Sequence, residues 1–155
     1  EWLEAMWLSI SSIFLFLASR KSIDYARLFN ILWLLPLIAT IRELDEISDK
    51  TFFHGAWMVP AILIALIVFY RVFKSYRILI PEILRFIQTQ QAVFLGLGFF
   101  IVVIFAQLCG EQAVLKAIFR DDYQRHIGRF VEEILEFLGY IILVIGSLEC
   151  YVKSK

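Results

Sequence analysis

The chain is 155 residues long, 61% hydrophobic and 16% aromatic, with only 19% charged residues and a mean hydropathy of +0.77. Soluble domains run at about 45–50% apolar and about 25% charged, so this composition excludes an ordinary water-soluble domain and indicates an integral membrane protein. The formal net charge is zero, which leaves no basic surplus to meet nucleic-acid phosphates, and no nucleic-acid partner is expected.

The first apolar segment runs from Trp2 to Ser19. It has no basic leader and no small-x-small cleavage site, and it carries Glu1 and Glu4, so it is read as a membrane span and not as a signal peptide. The second runs from Tyr25 to Arg42, the third from Gly55 to Phe73, the fourth from Ala92 to Cys109 and the fifth from Val131 to Val152. At about 1.5 Å per residue each approaches the roughly 30 Å of a bilayer core. Pro36 and Pro60 fall inside the second and third and predict kinks. Between the third and fourth segments, RILIPEILRFIQTQ sets Leu79, Ile83, Phe86 and Ile87 against Arg77, Glu82 and Arg85, the pattern of an interfacial helix over about 77–89. A second short surface helix is expected around Val114 to Phe119. The predicted fold is therefore an all-α integral membrane protein. It is one transmembrane domain over residues 1–155, a five-transmembrane-helix bundle with short interfacial amphipathic helices.

Five spans place the ends of the chain on opposite faces. Arg42, Lys50, Lys116, Arg120, Arg125 and Arg129 fall on the face holding the N-terminus. The other face carries the larger set, Arg20, Lys21, Arg27, Arg71, Lys74, Arg77, Arg85, Lys153 and Lys155. The positive-inside rule then sets the C-terminus in the cytoplasm and the N-terminus outside, in a bacterial inner membrane. Cys109 and Cys150 end spans on opposite faces, too far apart for a disulfide.

Acids crowd the outer face in three patches at one depth: EWLE (Glu1, Glu4), RELDEISDK (Glu43, Asp45, Glu46, Asp49) and RFVEEILEFLGY (Glu132, Glu133, Glu136). In the fifth segment Arg129, Glu132, Glu133, Glu136, Gly139, Tyr140, Gly146, Ser147 and Cys150 recur at i, i+3 and i+4, a stripe of polar and small residues opposite Ile134, Leu138, Ile141 and Ile145. Small residues favour close helix contact in membranes, so the stripe should face the bundle. The first segment repeats the pattern with Glu4, Ala5, Leu8, Ser11, Ser12, Leu15 and Ala18. Glu136 lies about 7 Å past Val131 along the helix. A carboxylate facing lipid at the bilayer centre costs about 2.5–3.5 kcal/mol, somewhat less near the edge.

Carboxylates meeting in a low dielectric need bases, a cation or protons. Arg42 and Arg129 are the bases at hand for a salt-bridge network tying helices one, two and five together. His54, and His126 on the same face, widen the chemistry: imidazole with carboxylates suits a divalent metal, and Glu4, Glu43, Asp45, His54, Glu132, Glu133 and Glu136 form the candidate ligand set. Asn30 and Gln107 are further polar groups that could line a proton or transport path. Gly96 and Gly98 in FLGLGFF read as close-packing positions, and no GxSxG motif surrounds Ser11, Ser12 or Ser147.

Two functional expectations follow. The first is an accessory or structural subunit of a membrane complex, with membrane lipids and other membrane-protein subunits, or further copies of itself, as partners. The alternative is a cation- or metal-binding membrane protein, a transporter or a metal-dependent lipid-active enzyme, built on the acidic cluster.

Overall fold

The computed structural model describes residues 2–45, 55–110 and 125–154, with side chains for 2–45, 55–108 and 128–154. Every regular element among them is helical: α1 (Trp2–Lys21), α2 (Ala26–Leu32), α3 (Leu34–Glu43), α4 (Met58–Phe86), α5 (Gln90–Phe100), a π-helical segment (Ile101–Ala106), α6 (Gln107–Gly110) and α7 (Arg125–Lys153). Three helices, Trp2–Lys21, Met58–Phe86 and Gly128–Lys153, are long and apolar enough to cross a membrane. The segment Gln90–Ala106 is apolar but shorter. The surface helix expected around 114–119 lies outside the described residues.

Helix α1 begins with Glu4 in its first turn and ends with Arg20 and Lys21 in its last, the charge order that suits a helix dipole. Its buried residues are Ala5, Leu8, Ser11, Ser12, Leu15 and Ala18, one stripe at helical spacing. That stripe packs on α7 on one side and on α2 and α3 on the other. Helix α7 answers with Gly139, Tyr140, Val144, Gly146, Ser147 and Cys150 buried. At the centre of this contact Ser11 Oγ lies 2.6 Å from Ser147 Oγ. Ser147 donates to its own Leu143 carbonyl at 2.7 Å, so Ser11 is the donor across the interface.

The second apolar segment is helical on both sides of a break at Trp33. Pro36 has no N–H to offer the Leu32 carbonyl, and its ring crowds that carbonyl, so the interruption falls one turn upstream of the proline. Groups outside the segment bond to carbonyls beside the break. Ser12 Oγ donates to the Trp33 carbonyl at 2.9 Å, and Arg71 Nη1 donates to the Asn30 carbonyl at 2.7 Å and to Asn30 Oδ1 at 3.0 Å. At the opposite end of α2, Glu82 Oε2 accepts the Leu28 N–H at 3.0 Å. One helix, α4, therefore sets an anion at the N-terminus of α2 and a cation at its C-terminus, where the dipole of α2 favours each.

This changes the reading of 74–89. The third apolar segment and the expected interfacial stretch form one unbroken helix through Phe86, with Pro81 inside it. Lys74, Ser75, Tyr76, Arg77 and Ile78 include no helix breaker, so the charges there do not end the helix. Glu82, read from sequence as part of a solvated face, is only 6% exposed and points inward beside Leu79 and Phe86. Pro60 is the third residue of the helix, in the first turn, where an N–H would lack an intrahelical partner anyway.

A tight turn capped by Thr89, whose Oγ1 accepts the Ala92 N–H at 3.3 Å, leads into α5. Helices α5 and α7 approach closely at glycines. A Cβ on Gly98 would meet the Gly139 carbonyl at 3.0 Å and Leu143 Cγ at 2.8 Å, and one on Gly146 would meet Leu95 N at 3.0 Å. Gly96 has nothing within 4 Å of a Cβ position, so of the two glycines in FLGLGFF only Gly98 is a close-packing residue. The aromatic and aliphatic core, with Leu15, Ala18, Phe29, Leu79, Phe86 and Cys150, sits toward the α4–α5 turn. Phe29 and Phe86 meet there edge to face at 5.5 Å. The packing order is α4, then α2 and α3, then α1, then α7, then α5.

Candidate functional site

The opposite end of the bundle carries the carboxylates. Glu4 rises from the first turn of α1, Glu43 ends α3, and Glu136 lies two turns into the apolar part of α7; all three are half-buried. Tyr140, one turn below Glu136 and buried, donates its hydroxyl to Glu43 Oε1 at 3.2 Å. Glu4 and Arg42 lie close enough to Glu43 to bear on it electrostatically. Gln107 Nε2 donates to Glu136 Oε1 at 3.2 Å. Glu136 also lies within the electrostatic reach of Glu43, Glu4 and Glu132. Helices α1, α3, α6 and α7 thus meet at one polar cluster, in which Tyr140 bonds to Glu43 and Gln107 to Glu136.

The remaining expected residues are distributed unevenly around it. Glu132 is half-buried, whereas Asp45, Glu133, Arg42 and Arg129 are exposed. Arg42 is close enough to bear electrostatically on Glu43 and Glu136. An ion pair among the described residues, Lys153 Nζ to Glu149 at 2.6 Å, stands at the far end of α7 and involves neither arginine. His54 lies outside the described residues, as does the side chain of His126. Among the described residues no three His, Cys, Asp or Glu side chains converge to hold a metal ion. Asn30 and Gln107 are exposed and not buried; Asn30 is engaged by Arg71 and by Trp33 Nε1.

Directly beneath the cluster lies a cleft of about 460 Å³, which the sequence does not announce. It runs between α3 and α5, with α1 and α7 as its back wall and the end of α4 as its floor; Leu8, Leu35, Ala39, Phe99, Val102 and Tyr140 are among its lining residues. The walls are apolar except for Ser11 and the Tyr140 hydroxyl. The volume falls within the roughly 300–1,000 Å³ of small-molecule sites.

The cluster stands in register with this cleft. Glu4 is four residues from Leu8, Glu43 four from Ala39, Glu136 four from Tyr140 and Gln107 four from Val103, so each polar group sits one helical turn outward of a lining residue on its own helix. The carboxyl groups thus stand one turn beyond an apolar chamber that they do not themselves line. Tyr140 is legible as part of an inward stripe, but its place between the cleft it lines and the Glu43 carboxylate it bonds is not. No protein-family model matches this chain, and comparison with curated proteins and with solved structures finds no match.

Proposed function

We propose that the chain is an accessory or structural subunit of a membrane complex, with five crossing segments in a bacterial inner membrane, the N-terminus outside and the C-terminus cytoplasmic. The second and fourth crossings in this reading are the interrupted pair α2–α3 and the run α5–π–α6, from Gln90 to Gly110, which at about 1.5 Å per residue is close to a bilayer core in length. The observation that carries the reading is α4. Only 6% of its apolar window is buried inside the protein, and Ile62, Leu66, Phe69 and Phe73 are exposed along it. Helix α4 rests on α2 and α3 alone among its extensive contacts. A 29-residue helix held to its own bundle along one narrow edge leaves most of its circumference for another transmembrane chain.

The test is purification from native membranes in mild detergent, followed by size-exclusion chromatography and cross-linking from positions 62, 66 and 69. A second membrane protein at fixed stoichiometry, released by Leu66→Glu but not by a substitution on the opposite surface of the bundle, is the expected result. A particle containing one copy of this chain and only lipid, with cross-links to lipid alone, overturns the proposal. Cross-links to a second copy make the partner the chain itself.

A further inference from the structure

We infer that the pocket bounded by Asp24 and Lys153, at the end of the bundle where α7 stops, binds a compact zwitterion: one ammonium group and one acidic group on a short carbon skeleton, the chemistry shared by a free amino acid and by the ethanolamine phosphate head of an aminophospholipid. This goes beyond the subunit reading and does not depend on it, since that reading rests on the free circumference of α4.

Three parts of the chain build the pocket. The turn after α1 supplies Asp24 and Tyr25, the end of α4 and the start of α5 supply Phe86 and Gln91, and the last turn of α7 supplies Cys150 and Lys153, around a volume of about 100 Å³. Its floor is fixed. Phe29, Phe86 and Cys150 are buried there and belong to the apolar core. Tyr25 packs onto the same rings, 5.5 Å from Phe86 and 5.9 Å from Phe29, and its backbone N–H donates to the buried Ser22 Oγ at 3.1 Å. The volume is below the roughly 300–1,000 Å³ of drug-sized sites, so the occupant is a small molecule or the head of a larger one.

Charge selects among such occupants. Asp24 and Lys153 line one pocket without pairing with each other, and Asp24 forms no hydrogen bond or ion pair among the described residues. Lys153 Nζ has three N–H donors; one goes to Glu149 Oε2 at 2.6 Å and one to Gln90 Oε1 at 3.4 Å, which leaves the third for a ligand. The Tyr25 hydroxyl and the Gln91 amide likewise make no hydrogen bond among the described residues. A lone anion here would meet Asp24 as well as Lys153, and a lone cation would meet Lys153 as well as Asp24. A zwitterion sets each of its charges against the opposite one. Tyr25 and Gln91 then offer further donors and acceptors to its polar ends, and Phe29 and Phe86 cover its methylene groups.

The experiment uses the full chain in nanodiscs and ligand-observed NMR, with phosphoethanolamine and alanine as the soluble zwitterions and ethylamine and ethyl phosphate as the singly charged comparisons. The expected result is saturable binding of a zwitterion about fivefold or more tighter than either comparison, the upper scale of an exposed ion pair. Asp24→Asn and Lys153→Gln, both on exposed side chains, should each remove that advantage. Lys153→Arg should keep it, as should Glu149→Gln, which frees Lys153 without altering the lining. Native mass spectrometry of the chain released from nanodiscs of mixed phosphatidylethanolamine and phosphatidylglycerol identifies the source. Retention of the ethanolamine lipid that Asp24→Asn abolishes makes the occupant a lipid head, and loss of both lipids with soluble binding intact makes it a free molecule. Equal binding of ethylamine and phosphoethanolamine reduces the site to Asp24 alone and overturns the proposal. So does zwitterion binding that both Asp24→Asn and Lys153→Gln leave unchanged. Failure of both soluble zwitterions to bind, together with equal retention of the two lipids, overturns it as well.

Discussion

Substituting the glycines of α5 and α7 separates packing from every other effect of a methyl group. Gly96→Ala and Gly139→Ala each add one Cβ to an apolar helix, and each removes the entropic handicap of glycine, worth about 1 kcal/mol in a helix interior. They differ in what the methyl meets. At Gly96 nothing lies within 4 Å, while at Gly139 the new carbon would stand 2.5 Å from Val102 Cγ2 and 3.2 Å from the Gly98 carbonyl. Carbon atoms rest at about 3.5–4.0 Å, so Val102 must retreat by about 1 Å. Its χ1 is stiff in a helix, and the helices must therefore part. Overpacking of this kind costs about 1–3 kcal/mol. Because the propensity gain is common to both variants, the difference between them reads that cost directly. The assay is SDS-induced unfolding in mixed micelles, followed by far-UV circular dichroism. Gly96→Ala should be neutral or stabilising, and Gly139→Ala should fall about 1–3 kcal/mol below it. Adding Val102→Ala should restore part of the loss, since the shortest contact disappears while the one to the Gly98 carbonyl remains. Equal stability of Gly96→Ala and Gly139→Ala would refute the close crossing of α5 and α7 at this level.

Three further outcomes follow from the same coordinates. Glu82→Ala leaves the buried Leu28 N–H without its acceptor and should cost about 1–3 kcal/mol, with faster amide hydrogen exchange concentrated at Leu28 and its neighbours in α2; Glu82→Gln, which keeps an acceptor oxygen, should lose less. Tyr140→Phe should cost about 0.5–1.5 kcal/mol by removing the bond to Glu43, and should cost much less in a Glu43→Ala background if a double-mutant cycle is run. Glu133→Gln, on an exposed side chain, should stay within about 0.5 kcal/mol of the parent in the same unfolding assay, and a larger effect would mean that Glu133 has a structural partner.

Much of the arrangement follows from periodicity. The buried stripes of α1 and α7 could be read from the recurrence of small and hydroxyl residues at i, i+3 and i+4, and the inward turn of Glu4 and Glu136 came with them. The stripe was drawn too wide, however. Glu133 shares it with Glu136 by spacing, yet an i, i+3 pair diverges by about 60° around a helix of 3.6 residues per turn, enough to leave Glu133 exposed. Glu82 was illegible for a different reason. A glutamate among arginines on an amphipathic stretch ordinarily faces water, and the N–H it accepts belongs to a residue 54 positions earlier. Arg71 and Asn30, 41 positions apart, are equally silent in sequence. Pro36 did announce an interruption of the second segment, though nothing local reveals that Ser12 of α1 supplies the hydrogen bond at the break. Gly96 and Gly98 look alike in FLGLGFF; two residues apart on a helix they point about 200° apart, and only the docking of α7 decides which is crowded. The cleft is a product of how four helices meet, and no single segment encodes it.

The clamp on α2 also imposes an order on how the chain can be built. Residues 26–32 are synthesised before Arg71 and Glu82, so this short helix waits with both ends unfinished until α4 has been made and brought alongside. A lesion in α4 should therefore show itself first as a failure of α2, a neighbour already synthesised. The second segment serves as the molecule's own readout of whether the third has been seated.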